Sequence, residues 1–184
     1  MLEYNNLRNN GQYGIYISNS TEVSITVKGC IYQGNSYGIY LNNCSAIVEK
    51  CGFSANSIGF YVYGSSSPSI SESYFINNSD IGLFVKGNNT DPLPVISYNN
   101  FINNTNYHIK LETYKNPDTA TVNASNNWFN SDDSLTIVSK LYHHPDNSTS
   151  ATLLWNPYLT EENDIGDSIY CAADINMDAV VNGM

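Results

Sequence analysis

The stretch YGIYLNNCSAIVEKCGFSAN, residues 37–56, decides the fold. It contains three short segments in which apolar residues alternate with others: residues 38–41, residues 46–51 and a brief one around Phe53. A polar break at residues 42–45 and a closing Asn56 set them apart. Successive side chains of an extended chain point to opposite faces. Ile39, Leu41, Val48, Cys51 and Phe53 are therefore predicted to point inward, and Tyr40 and Lys50 to face solvent. The stretch holds neither a 3.6-residue apolar period nor a run of strong helix formers. Three strands joined by Asn, Gly and Ser turns make one triangular coil.

The same unit recurs on both sides. Bulky apolar residues stand at Leu7, Tyr32, Phe53, Phe75, Phe101 and Trp128, each two places after Asn5, Cys30, Cys51, Ser73, Asn99 and Asn126, in steps of 21 to 27 residues. A second ladder runs ahead of it: YGIY at residues 13–16 and 37–40, IGFY at 58–61, IGLF at 81–84 and a degenerate copy at 107–110. Repeats of this length signal a solenoid whose units bury their apolar faces on one another. In-register ladders without hairpin signals exclude an antiparallel sandwich, and the absence of helical periodicity excludes leucine-rich and helical repeats. The predicted fold is all-β, a right-handed parallel β-helix of about five or six coils with a C-terminal closing segment. Asn35, Asn56, Asn78 and Asn104 end successive coils and are expected at left-handed corners, where asparagine is tolerated. Cys30 and Cys51 share a repeat position and are expected to stack inward as small apolar groups.

Seventeen acidic against seven basic residues give a net charge of -10, and no run of Lys or Arg forms a patch, so nucleic acid and anionic membrane surfaces are disfavoured as partners. With only 13% charged residues, solubility rests on Asn, Ser and Thr, and the 28 asparagines point to an extracellular or cell-surface protein. No apolar run is long enough to span a membrane. LEYNNLRNN at residues 2–10 aligns with ISYNNFINN at 96–104, so the chain is expected to begin in mid-coil as a piece of a longer protein.

On these ladders the sequence resembles the right-handed β-helix repeat family, the pectate-lyase-like superfold, over residues 1–160. VNASNNWFNSDD at residues 122–133 is similar to the Asn-aromatic-aromatic signature that often precedes the last coil in secreted members, and LLWNPYLT at 153–160 looks like the matching closing strand. The resemblance implies a closing segment from about residue 131, with Trp155, Pro157 and Tyr158 shielding an otherwise unpaired strand edge.

After an acidic linker, residues 161–173, the chain reads DINMDAVVNGM at 174–184. Asp174, Asn176, Asp178 and Asn182 at loop positions 1, 3, 5 and 9, with the Val180 carbonyl at position 7, follow EF-hand spacing, in which oxygen ligands at alternate positions wrap a Ca²⁺ ion. The segment resembles a truncated first calcium loop of dockerin modules. That resemblance implies calcium as a ligand and, for the full-length parent only, a cohesin-type scaffold as partner. Ala179 stands where the loop usually has glycine, and position 12 lies past Met184.

Catalysis is not the expected role of this stretch of chain. A lyase or epimerase needs a base and neutralising charge, and a hydrolase needs facing carboxylates. The seven basic residues form no cluster; Asp132 and Asp133 read as turn or cap residues, His108 as structural, and His143 and His144 lack metal-type spacing. Tyr16, Tyr40 and Tyr61, with Phe84 next in register, are predicted on equivalent outward positions, where aromatic faces suit sugar rings. The expected function is a secreted β-helix module of a larger dockerin-bearing protein that binds polysaccharide or acts as extracellular scaffold; the rival is a polysaccharide lyase, hydrolase or epimerase of the same superfold.

Overall fold

The computed structural model describes residues 1–19 and 25–165. Each coil contributes three strands. The first holds β1 (Leu2–Glu3), β2 (Asn6–Arg8) and β3 (Tyr13–Ser18), and the second β4 (Ile25–Lys28), β5 (Ile31–Gln33) and β6 (Tyr37–Asn42). The third holds β7 (Ala46–Glu49), β8 (Gly52–Ser54) and β9 (Ile58–Tyr63), and the fourth β10 (Ser69–Ser71), β11 (Tyr74–Ile76) and β12 (Ile81–Thr90). β13 (Val95–Ser97), β14 (Asn100–Ile102) and β15 (Tyr107–Tyr114) complete the fifth. β16 (Thr121–Asn123), the short helix α1 (Ser134–Val138), β17 (Leu141–Tyr142) and β18 (Thr152–Leu154) finish the described chain.

Strands of like position pair in parallel and stack into three walls. The first sheet runs β1-β4-β7-β10-β13-β16-β18, the second β2-β5-β8-β11-β14 and the third β3-β6-β9-β12-β15-β17. This is the predicted parallel β-helix, of about five turns. Ile39, Leu41, Val48, Cys51 and Phe53 are all buried, as the alternation in residues 37–56 required.

Inside the prism, like stacks on like. Tyr32, Phe53, Phe75 and Phe101 are fully buried, and their ring centroids follow at 5.1, 4.8 and 4.7 Å with interplanar angles of 8°, 12° and 9°. Phe129, not Trp128, extends the stack, 5.5 Å from Phe101. The sequence offered two phases there, and polar satisfaction selects one: buried Asn127, rather than Asn126, accepts the Asn99 N–H at 2.9 Å, which sends the residue two places on inward.

Two polar ladders hold the corners around this stack. At one, the Cys51 N–H donates to Ser73 Oγ at 3.1 Å, and the Ser73 N–H to Asn99 Oδ1 at 3.0 Å. At the other, the N–H groups of Asn10, Asn35, Asn56 and Asn78 donate to the side-chain oxygens of Asn35, Asn56, Asn78 and Asn104 at 2.9 to 3.2 Å. The Nδ2 groups of Asn56, Asn78 and Asn104 return bonds to the carbonyls of Tyr32, Phe53 and Phe75. These asparagines are therefore buried acceptors, and the left-handed angles expected of them fall one residue earlier, at Asn9, Gly34, Ala55, Asn77 and Asn103. The corner turns first; the next residue points in and satisfies a neighbouring coil.

Cys30, Cys44 and Cys51 are buried, Cys30 and Cys51 as free thiols. At the C-terminal end Asp133 caps α1 by accepting the Thr136 N–H at 2.9 Å, and Ile137 plugs the core. Trp155 and Tyr158 stack at 5.6 Å and pack on the last coil. Among the described residues no helix is long and apolar enough to cross a membrane.

Candidate ligand-binding face

The third wall has the longest strands, and its outer surface carries three parallel columns fixed by register. The middle column is Tyr16, Tyr40, Tyr61, Phe84, Lys110 and Tyr142. On one side stand Tyr13, Tyr37, Ile58, Ile81 and Tyr107; on the other Ser18, Asn42, Tyr63, Lys86 and Glu112. The apolar members form a cluster of their own outside the prism, built on Ile58, Tyr61 and Ile81. Stacking of equivalent positions thus gives the wall two apolar sides, one facing the core and one facing out.

The rings differ in what they offer. Tyr16 is 47% exposed, Tyr40 and Phe84 are half-buried, and Tyr61 is down to 9% beneath its neighbours. Tyr16 meets Tyr40 edge-on, centroids 5.1 Å apart at 87°, whereas Tyr61 and Phe84 stack at 4.9 Å and 29°. All four predicted residues share one column, but Tyr61 turns its faces to the rings of Tyr40 and Phe84 and is the least exposed of them. The open end of the face lies at Tyr13, Tyr16, Tyr37 and Tyr40. There Tyr16 Oη accepts from Asn42 Nδ2 at 3.0 Å, and Tyr13 stacks on Tyr37 at 5.5 Å. Burial, reinforced by the surrounding phenols, pushes the Tyr40 hydroxyl up to about 12, so it remains a neutral donor and acceptor at physiological pH.

The far end of the column is ionic. Lys110 Nζ lies 5.2 Å from the Phe84 ring centre, 5.1 Å from Tyr142 and 5.9 Å from Tyr107, and it bonds Glu112 Oε1 at 2.7 Å. Sequence reasoning missed Tyr13, Tyr37, Tyr63, Lys110 and Tyr142 as members of this face. The first two lay in plain view as the leading tyrosines of the two YGIY copies. Tyr142 is carried back into register only by the excursion through α1.

The remaining acid–base candidates are engaged elsewhere. Lys28 pairs with Glu49 at 3.6 Å and Lys50 with Glu72 at 3.4 Å, both across neighbouring coils of the first sheet. His143 Nδ1 accepts the Leu153 N–H at 3.3 Å, and His144 Nε2 lies 3.2 Å from Asp118. His108 is buried at the end of the asparagine ladder, its Nδ1 3.1 Å from Asn104 Nδ2, and burial with nearby Lys140 holds it down at about 4. A shallow cavity of about 290 Å³ opens beside it, lined by Asn103, Thr105, Phe129, Asn130 and Lys140. Lys140 Nζ is occupied there, donating to the Thr105 carbonyl at 2.8 Å. No group of three or more His, Cys, Asp or Glu side chains arranged to hold a metal ion occurs among the described residues. The calcium-loop positions Asp174, Asn176, Asp178, Val180 and Asn182, and Cys171, lie outside them.

The family model described as a right-handed beta helix region matches residues 1–147. No curated protein and no solved structure matches the chain.

Proposed function

The chain belongs to the right-handed β-helix family, and on that footing we propose that it is a non-catalytic, secreted module that presents the third wall to polysaccharide. The observation that carries this reading is the outward aromatic column, open at Tyr16 and Tyr40 and flanked by the amide of Asn42. Ring faces and edges pack against the C–H surface of a pyranose while phenols and amides take its hydroxyls. Tyr16 and Tyr40, on adjacent coils with ring centroids 5.1 Å apart, supply two successive contacts for an extended chain of sugars. The loop-like residues 174–184 fit a parent that carries a dockerin-type module, with calcium held by Asp174, Asn176, Asp178, Asn182 and the Val180 carbonyl and a cohesin-type scaffold as partner.

The enzymatic alternative, a lyase, hydrolase or epimerase, draws less support. On this face Glu112 is the acid of the Lys110 ion pair, and a satisfied pair supplies neither a free base nor two facing carboxylates.

Affinity electrophoresis through gels cast with xyloglucan, glucomannan or polygalacturonate tests the proposal. Retardation in at least one gel is expected, with most of it lost in a Tyr16→Ala/Tyr40→Ala double variant that keeps its β-sheet circular dichroism. Equal mobility of both proteins in every gel would refute carbohydrate binding by this face.

A further inference from the structure

Cys30 and Cys51 stand at one corner of the solenoid, between the first and second strands of the second and third coils. The pairs Lys28–Glu49 and Ile31–Gly52 stack on either side of them, so Cys30 lies directly over Cys51. The Gly52 N–H donates to the Cys30 carbonyl at 2.9 Å, which fixes the spacing of the two backbones. Both side chains are 0% exposed, and the two thiols hydrogen-bond each other.

The corner makes a polar demand that sulfur meets poorly. Inward side chains of this column take a backbone N–H from the coil before: Cys30 Sγ from Asn5 at 3.4 Å, Ser73 Oγ from Cys51 at 3.1 Å, Asn99 Oδ1 from Ser73 at 3.0 Å and Asn127 Oδ1 from Asn99 at 2.9 Å. Sulfur is a weak acceptor, and Ser73 shows that a hydroxyl fills the same place fully buried. What two stacked cysteines add is the capacity for an S–S bond.

We propose that Cys30 and Cys51 are an oxidisable pair that closes into a disulfide staple between the second and third coils, with a low-molecular-weight disulfide as oxidant. Adjacent coils repeat at about 4.8 Å, within the roughly 4.4–6.8 Å between Cα atoms that a disulfide bridges. The two thiols have different parts. Hydrogen bonding from Cys51 holds Cys30 below the ordinary thiol range, whereas burial pushes Cys51 up, so Cys30 supplies the attacking thiolate. Cys30 is also the outer of the two. Its cover is the first coil, where β1 is two residues long, Leu2 is only partly buried and Tyr4 and Asn5 are exposed, so local opening of that coil uncovers Cys30 before Cys51. Cys30 Sγ attacks one sulfur of the oxidant, whose S–S bond breaks, and half of the oxidant leaves as a thiolate that takes up a proton. Cys51 gives its proton to solvent, and its sulfur displaces the other half from the mixed disulfide. Two protein thiols are thereby oxidised to one S–S bond while the oxidant is reduced to two thiols. The bond ties the coil that carries Tyr37 and Tyr40 to the coil that carries Tyr61 from within the prism. The inference is independent of carbohydrate binding.

Glutathione disulfide added to the reduced, folded 184-residue chain tests it. Peptide mapping without reductant should find Cys30 joined to Cys51 in most molecules, and dithiothreitol should remove the link. Cys51→Ser should stop at a glutathione adduct on Cys30, while Cys30→Ser should leave Cys51 unmodified. The map of the unmodified chain decides the bond itself even where a variant folds poorly. Links from either residue to Cys44 or Cys171 instead, links between copies, or a Cys30–Cys51 link that forms only in denaturant would overturn the proposal. So would thiols still reduced once the amides of β1 have exchanged with deuterium, and an adduct on Cys51 in the Cys30→Ser chain would overturn the order of attack.

Discussion

At the scale of single residues, the buried asparagine ladder is where polar side chains specify the fold. Asn56 is 0% exposed, accepts the Asn35 N–H and donates to the Tyr32 carbonyl. Asn56→Ala leaves the Asn35 N–H without this acceptor in the interior, at a cost of roughly 1–3 kcal/mol. A lower urea midpoint at unchanged slope is the expected result, and a midpoint within error of the parent would contradict it. His108 ends the same ladder and makes stability depend on pH. Its proton affinity is depressed by burial, to about 4 in the folded chain against an ordinary 6.5. Between those values the unfolded chain binds a proton that the folded chain refuses, so stability falls as pH falls from about 6.5 to about 4, by at most about 1.4 kcal/mol per pH unit, and levels off below. His108→Gln should flatten that window in urea unfolding measured at pH 4, 5 and 7; an unchanged slope would mean that another group titrates there.

At the scale of elements, the walls depend on close approach between coils. A Cβ at Gly59 would sit 2.6 Å from the Gly82 carbonyl and 3.2 Å from Phe53 Cβ. Gly59→Ala must push apart strands β9 and β12, and about 1–3 kcal/mol of destabilisation is expected from overpacking of this kind. Thermal unfolding checks it, and an unaltered midpoint would show that the walls give easily. Deleting a ring from the inner stack should cost more: Phe75→Ala removes a fully buried phenyl held between Phe53 and Phe101, which typically costs about 3–5 kcal/mol. The elements were legible in the sequence wherever one side chain per coil repeated faithfully, as in residues 37–56. They were illegible where two neighbours could serve, because Trp128 and Phe129 differ only in phase and a distant hydrogen bond, Asn99 to Asn127, makes the choice. The candidate face divided likewise. Register placed Tyr16, Tyr40, Tyr61 and Phe84 together, as repeat spacing implied, but which ring stays open depends on how adjacent rings tilt, and no one-dimensional pattern records a tilt.

For the whole molecule, each coil touches only its neighbours, so protection should follow position along the axis. Tyr13, Ile15 and Ile17 of β3 are only partly buried, whereas Phe60 and Val62 of β9 are 0% exposed. Native-state hydrogen exchange is expected to find the β9 amides slowest and those of β3 faster by an order of magnitude or more; uniform rates would instead mean that the solenoid opens as one unit. The molecule is a three-walled prism whose third wall carries an aromatic column on its outer face, and the proposed function rests on that wall meeting sugar. A crystal structure of the chain soaked with neutral and uronate oligosaccharides tests this most directly. The account predicts pyranose rings lying along Tyr13, Tyr16, Tyr37 and Tyr40, within hydrogen-bond reach of Asn42, with the Lys110–Glu112 pair intact. Sugar seated instead in the cavity beside His108 and Lys140, or that wall bare with every oligosaccharide tried, would contradict it.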